Sequence, residues 1–515
     1  LDKMENIHPI LSCKKAQDFE KILLQNDVEK SYQAMTDVGE NIAKMLWQEF
    51  ALTIGDSPKI LILSGTGHNG GDAILTVKYL CAKLNNPQIT VVISSENRLK
   101  ENTKRAISEL KNSAKIFELL PNEIEKIVNQ KFDLILDGIL GMSYTPPLRE
   151  ETAILIEKAN SISAKLRVAI DIPSGASTTP SNVIFKADAT YATGICKDVL
   201  FEDFNREFVG RIRYVDIGFF DSKNDFSEEK NFIVSPKIFN KLKTLRPAIS
   251  DKRTFGHLFV IAGSQTYPGA VLLAVKSALR SGVGLVSAFV PESLAPMFAS
   301  AEPSAIWTGC PEDENGAIAL ESLGMIRARL NSATAILAGC GMTQSAETKV
   351  LLAEVLKLAP DVPIVLDADA INQDLAKTIS TRNAPVLLTP HEGEILRLAP
   401  DASDESLIEV CKKYNCTITL KSSATRICNG QIIVRQTRGC PALARAGSGD
   451  ILAGLCGGLM ANKSLQFENR ALQCGVIASQ WLGIASELIA SERGEVALAT
   501  SDIINYLYRI FQLDF

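Results

Sequence analysis

Ala442-Leu443-Ala444-Arg445-Ala446-Gly447-Ser448-Gly449-Asp450, followed at once by the apolar pattern Ile451–Met460, is the stretch that decides the fold of this chain. Small residues ahead of a helix leave backbone N–H groups free at its N-terminus, so a transferring phosphoryl group meets several donors without reorganisation. Asp450 stands beside that anion hole, where a carboxylate can take the proton of an attacking hydroxyl. A purely structural helix cap rarely carries Gly-Ser-Gly-Asp.

Upstream of the turn, His257–Ala262, Gly284–Val290, Ala335–Ala338, Pro363–Leu366, Ala384–Leu388 and Thr417–Lys421 read as strands separated by amphipathic segments. An earlier series, Lys59–Ser64, Ile89–Ser94, Phe132–Leu136 and Leu166–Ile170, shows the same alternation, the mark of parallel βαβ units. The count restarts after Asn240, which implies two domains. Between the series, Asp221–Lys230 is polar and without period, and the boundary is placed there, after residue 225. Asn429-Gly430 between two strand-like runs predicts a type I′ hairpin.

The 515 residues, 46% hydrophobic and 22% charged, suffice for two large cores. A net charge of -5 argues against nucleic acid or an anionic membrane as partner, since both demand a basic face. The 11 cysteines include no C-x-x-C pair and the 4 histidines do not cluster, so no zinc site is expected. An odd cysteine count without a legible leader fits a reducing, cytoplasmic setting, and Leu1 in place of Met suggests a processed start. The most apolar late stretch, Gly475–Ala490, contains Gln480 and Glu487 and reads as too short and too polar to cross a bilayer.

In the first half, strand Lys59–Ser64 runs into Gly65-Thr66-Gly67-His68-Asn69-Gly70-Gly71-Asp72 and a helix pattern over Ala73–Leu84. Gly65, Gly67 and Gly70 satisfy G-x-G-x-x-G, but the acidic residue that a dinucleotide fold places at the end of its second strand comes late, at Glu96. Two further strand ends are polar: Asp137-Gly138-Ile139-Leu140-Gly141 and Asp171-Ile172-Pro173-Ser174-Gly175. Parallel sheets bind ligands at the carboxyl ends of their strands, so the three segments are expected to share one crevice.

These segments resemble the N-N-G-G-D, D-x-x-x-G and D-x-P-S-G elements of the NAD(P)H-hydrate (NAD(P)HX) epimerase domain, over residues 1–220. The resemblance implies that Asn69, Asp137 and Ser174 bind K+, an oxygen set suited to a hard cation. It implies that His68–Asp72, Gly141-Met142-Ser143-Tyr144-Thr145-Pro146-Pro147 and Asp171 meet the substrate, with Asp171 catalytic. Epimerisation beside a ring nitrogen requires a hydroxyl to leave and return with acid–base help. His68 and Ala73 depart from the family, which has asparagine and glycine there.

In the second half, Gly263-Ser264, Tyr267-Pro268-Gly269-Ala270, Arg280–Leu285, Leu366–Asn372, Thr389–Glu394 and Ala442–Asp450 follow the order seen in ADP- or ATP-dependent NAD(P)H-hydrate dehydratase, a ribokinase-like fold. The resemblance spans residues 240–510. It implies that Gly341, His391-Glu392-Gly393-Glu394-Ile395-Leu396-Arg397 and Asp450 meet the hydrated cofactor, with Asp450 catalytic. Lys421-Ser422-Ser423-Ala424-Thr425 and Cys440-Pro441-Ala442-Leu443-Ala444-Arg445-Ala446-Gly447-Ser448-Gly449 would hold ADP or ATP, carried with Mg2+. Cys440 and Arg445 stand where asparagine and threonine are common.

The expected molecule is α/β with two domains, residues 1–225 Rossmann-like αβα and residues 226–515 ribokinase-like αβα. It would be a cytoplasmic homo-oligomer that repairs NADHX and NADPHX. The alternative is a vitamin kinase of the hydroxymethylpyrimidine or pyridoxal type carrying a non-catalytic N-terminal binding module.

Overall fold

The computed structural model describes residues 6–221 and 226–513. The chain divides into one unit of His8–Glu229 and another of Lys230–Phe515, to which the residues up to Ile7 are assigned. The boundary expected after residue 225 abuts residues 222–225, which lie outside the described residues.

The first unit is built on one 7-stranded sheet. Its strands are β1 (Lys59–Ser64), β2 (Gln88–Ile93), β3 (Ile116–Leu119), β4 (Lys131–Gly138), β5 (Ser163–Ile170), β6 (Ala189–Thr193) and β7 (Arg211–Val215). They run parallel in the order β3-β2-β1-β4-β5-β6-β7. The order reverses at β1, so a ligand crevice opens beyond the ends of β1 and β4.

Helices α2 (Val28–Ile54), α3 (His68–Leu80), α4 (Glu101–Ser113) and α5 (Glu150–Ser161) cover this sheet, and α1 (Cys13–Leu24) packs through Ala16 in a smaller cluster with Leu11 and Ile195. Strand β1 shows why its sequence is apolar without alternation. Ile60 and Ile62 pack with Ile42 and Leu46 of α2 and Ile74 of α3, whereas Leu61 and Leu63 pack with Leu155 and Ile156 of α5. Both faces are covered, which gives the three-layer Rossmann-like arrangement. Strands β3, β6 and β7 escape the sequence reading. In β7 the reason is Arg213, a fully buried cation in an otherwise strand-like run, whose Nε and Nη2 reach the Glu49 carboxylate of α2 at 2.8 and 2.6 Å.

The second unit contains β8 (Asn231–Val234), β9 (His257–Ile261), β10 (Leu285–Pro291), β11 (Ile306–Cys310), β12 (Ala335–Ala338), β13 (Ile364–Leu366), β14 (Val386–Leu388), β15 (Thr417–Leu420), β16 (Thr425–Cys428) and β17 (Ile433–Gln436). Their order is β11-β10-β9-β12-β13-β14-β15-β16-β17-β8, parallel from β11 to β15 and antiparallel through the β15–β16–β17 meander. This is the expected ribokinase-like sheet. Its main helices are α6 (Pro268–Arg280), α7 (Ala346–Leu358), α8 (Ser448–Ala461) and α9 (Arg470–Arg493).

Two expectations are corrected. The β16–β17 hairpin exists, but its loop is four residues, Asn429–Ile432, and only Gly430 of the Asn-Gly pair has positive φ. The Asn429 carboxamide oxygen accepts N–H bonds from Gln431 and Ile432 at 3.0 Å each, an Asx-type turn that replaces the two-residue type I′ form. The stretch Gly475–Ala490 lies inside a 24-residue helix long and apolar enough to cross a membrane, and 89% of its most apolar window is buried. It is a core helix of the second unit, with Gln473, Gln480 and Glu487 buried along with its apolar residues.

Candidate active sites

The first site forms where β1, β4, β5 and β6 end. Strand β1 turns through Gly65-Thr66-Gly67 into α3, with Gly67 at the N-cap and no side chain capping it. A Cβ at Gly65 would stand 2.0 Å from the Ile139 carbonyl oxygen, so only glycine lets this turn lie against the end of β4. Asn69 Nδ2 then donates to the Leu140 carbonyl at 2.6 Å. The Leu140 N–H in turn donates to Ser174 Oγ at 2.9 Å, and Ser174 donates to Asp137 through its hydroxyl at 2.6 Å and its N–H at 2.7 Å.

Asn69, Asp137 and Ser174 are thus bound to one short segment, Ile139–Leu140. Asp137 is fully buried, and desolvation pushes it up to about 6, against the Ser174 and Ile139 donors that favour its charged form. Its hydrogen-bond partners, Ser174 and Ile139, are neutral. The donor set fits K+.

Asp171, at the end of β5, has a φ of 66°, uncommon for a residue with a side chain. That conformation aims its carboxylate at Thr193 Oγ1, at 3.2 Å, and into an ion pair with Lys197. Lys197 is 2% exposed and also donates to the Thr193 carbonyl at 3.1 Å. It lies on a two-residue strand, Cys196–Lys197, paired with Ile10–Leu11. Neither periodicity nor a motif marks this lysine in the sequence.

Around the pair, His68 is partly buried and its imidazole is pushed down by desolvation and then by Lys100. Asp72 is buried and pushed well above the carboxylate range by desolvation, with Glu20 and Asp171 adding to the effect. Gly141 packs on Asn69, where a Cβ would lie 3.2 Å from the asparagine Cβ. Beyond it the Met142 carbonyl accepts from Gln17 at 2.7 Å, Tyr144 is partly buried, and Ser143, Thr145, Pro146 and Pro147 are exposed.

The second site lies beyond β12, β13, β14 and β15, facing the N-terminus of α8. Gly447 caps that helix at φ 92°, and a Cβ at Gly449 would stand 3.1 Å from Lys421 Nζ. Lys421 therefore sits beneath the turn. Its ammonium pairs with Asp367 at 2.9 Å and Glu394 at 3.7 Å. Burial presses the lysine down, but Asp367 and Glu394 outweigh it and leave it raised. Asp367 also accepts from Thr389 Oγ1 at 2.7 Å.

Asp450 is partly buried and raised to about 6, first by desolvation and then by Asp367, with Lys421 and the Cys340 thiol opposing. Cys340, fully buried between Gly339 and Gly341, bonds to both aspartates. Cys340 and Asp367 thus join the site without having been assigned to it from sequence. Their thiol and carboxylates approach closely enough to hold a metal ion.

Other expected residues are occupied differently. His391 caps the short helix Glu392–Ile395, its Nδ1 accepting from Gly393 and Glu394 at 2.9 and 3.2 Å. Ile395 is in the core and Leu396 exposed, and Arg397 donates to the Ala368 and Ile371 carbonyls, both at 3.1 Å. Arg445 donates to the carbonyls of Glu495, Val496 and Leu498, tying the turn to the loop before the C-terminal helices. The Cys440 thiol is buried against the Ser486 carbonyl.

Two family descriptions match the chain: NAD(P)H-hydrate dehydratase over residues 258–509 and YjeF-related protein N-terminus over residues 31–199. The bifunctional NAD(P)H-hydrate repair enzyme of Thermosynechococcus vestitus is 32% identical over 449 residues, covering 83% of this chain and 84% of its own. The bifunctional NAD(P)H-hydrate repair enzyme of Synechocystis is 30% identical over 454 residues, covering 85% and 82%. A crystal structure of Bacillus subtilis ADP/ATP-dependent NAD(P)H-hydrate dehydratase is 27% identical, covers 53% of this chain and 96% of its own, and has a TM-score of 0.44. With two strand-end sites in one chain and relatives that run the length of both, this protein belongs to the bifunctional NAD(P)H-hydrate repair enzymes.

Proposed function

We propose that the first unit interconverts the R and S hydrates of NADH and NADPH, and that the second dehydrates the S hydrate with ADP or ATP, giving AMP or ADP and phosphate. The observation that carries this reading is the presence of two separate carboxylates, Asp171 after strand β5 in an ion pair with the buried Lys197, and Asp450 in the first turn of α8 within the field of Lys421.

In the second unit Asp450 takes the proton of the ring hydroxyl as its oxygen attacks the terminal phosphorus. The free N–H groups of α8 meet the transferring group, and Lys421 supplies charge beneath it. Phosphate then leaves with loss of the neighbouring ring proton, which restores the double bond. The nucleotide lies along Lys421–Thr425 and Cys440–Gly449 and brings Mg2+ with it. In the first unit Asn69, Asp137 and Ser174 hold K+, whose chemistry there is fixed positive charge. The protein acts on these small molecules as a cytoplasmic homo-oligomer, without nucleic acid or membrane.

Mixed NADH hydrates supplied with ADP, ATP or neither, with and without K+, test this by the absorbance of regenerated NADH. Failure of both nucleotides to restore NADH overturns the dehydratase reading. Conversion that stops at the S fraction, with spontaneous epimerisation subtracted, overturns the epimerase reading.

A further inference from the structure

The first unit buries more acid than the epimerase reading has used. Asp72, on α3, is 8% exposed, and its Oδ1 is buried without a hydrogen-bond partner. A carboxyl oxygen in that position loses water and gains nothing in return unless a ligand approaches it. Three carboxyl groups share this pocket electrostatically: Glu20 from α1, Asp72 from α3 and Asp171 from the end of β5. Lys197 is the cation buried among them, and its ion pair is with Asp171. The charges that reach the pocket from other elements are Lys100 after β2 and Asp198 next to Lys197, with the Cys13 thiol on α1 pushed up to about 11 by burial.

One ammonium neutralises one carboxylate. Asp171 is that one, so a second negative charge on Asp72 would be desolvated and opposed by its neighbours, and the neutral acid prevails. Two carboxyl groups of one pocket in opposite protonation states can serve as an acid and a base.

We propose that Asp72 is the general acid of the epimerase, that Asp171 is its base, and that Lys197 is the positioning residue that keeps the two in opposite states. This rests on the epimerase reading of the first unit. Asp72 gives its proton to the hydroxyl on the carbon beside the ring nitrogen. The carbon–oxygen bond breaks, water departs, and the nitrogen lone pair forms the carbon–nitrogen double bond of a cationic ring. Water adds to the opposite face while Asp171 takes its proton, which leaves the hydroxyl inverted. Asp72 is then a carboxylate and Asp171 an acid, which run the reverse reaction with roles exchanged, and proton exchange with bulk water returns the pair to its starting state.

The experiment follows the R/S ratio of purified R-NADHX by chromatography, in the full-length protein with K+ and no nucleotide, across a range of pH. Wild type should lose rate as pH rises and Asp72 gives up its proton. Asp72→Asn should lower kcat by about 10²- to 10⁴-fold with KM within about threefold, and Asp72→Glu should recover part of the rate. Lys197→Met should lower kcat by about 10²-fold with KM within about threefold, because the ion pair that holds the Asp171 carboxylate is lost, and Lys197→Arg should recover part of the rate.

An Asp72→Asn enzyme that keeps its rate, or keeps the loss of rate as pH rises, overturns the assignment of the acid. A Lys197→Met enzyme that keeps its kcat, or a Lys197→Arg enzyme that recovers none of the lost rate, overturns the positioning role. A wild-type protein no faster than spontaneous epimerisation would instead overturn the underlying epimerase reading, which separates the two failures.

Discussion

Asp450 is the residue at which sequence and environment agree most closely. Its motif places it at a helix N-terminus, and burial, with the Asp367 carboxylate adding to it, raises it to about 6. In its proposed role as base it acts ionised, so dehydration of the pure S hydrate should fall as pH drops through about 6, and kcat against pH measures this. Asp450→Asn should abolish dehydration while epimerisation of R-NADHX persists; equal loss of both would contradict separate sites. Because the folded form holds the proton more tightly than the unfolded chain, Asp450 contributes stability that is present at low pH and lost as pH rises through about 6. Lys421 answers to its neighbours. Removing it as Lys421→Met strands Asp367, which is 2% exposed, and removal of one partner from such a buried pair costs about 3–5 kcal/mol. A denaturant midpoint unchanged from wild type would show that this pair carries no such energy. Lys421 was legible as the residue after a strand, but Cys340 was not, because nothing near it in sequence shows that a buried thiol meets two aspartates 27 and 110 positions away.

Among the elements, α8 joins the Gly447–Asp450 turn to the core. It is apolar on every side and its residues Ile451–Ala461 are all buried, so it needs neighbours all round. Small residues let α6 approach: a Cβ at Gly454 would meet the Ala274 carbonyl oxygen at 2.1 Å, and one at Gly458 would meet Ser281 Oγ at 2.0 Å. Gly454→Ala should therefore push α8 away from α6 and destabilise the second unit by about 1–3 kcal/mol, despite the better helix propensity of alanine. Equilibrium unfolding checks the sign, and a stabilised variant would rule out the contact. The same displacement would shift the Gly447–Asp450 turn, so dehydration should weaken with it. The position of α8 was readable from its apolar run, whereas its partner helix was not, since Pro268–Arg280 lies far upstream.

For the whole molecule, two units in one chain predict complete conversion of a mixed hydrate pool with ADP, against a stall at the S fraction in Asp171→Asn. Replacing K+ by a large organic cation should slow epimerisation and leave dehydration of pure S hydrate unchanged; loss of both would place the ion elsewhere. Sequence by itself determined the two βαβ series, the strand-end motifs and the family, because helix and strand periods and glycine turns are local and each motif sits within a few residues of the strand that carries it. The pairing of Asp171 with Lys197, the unpartnered oxygen of Asp72 and the thiol between Asp367 and Asp450 were decided by tertiary structure alone. Those contacts join residues tens of positions apart, and the desolvation that sets their charge exists only once the sheets and helices have closed around them.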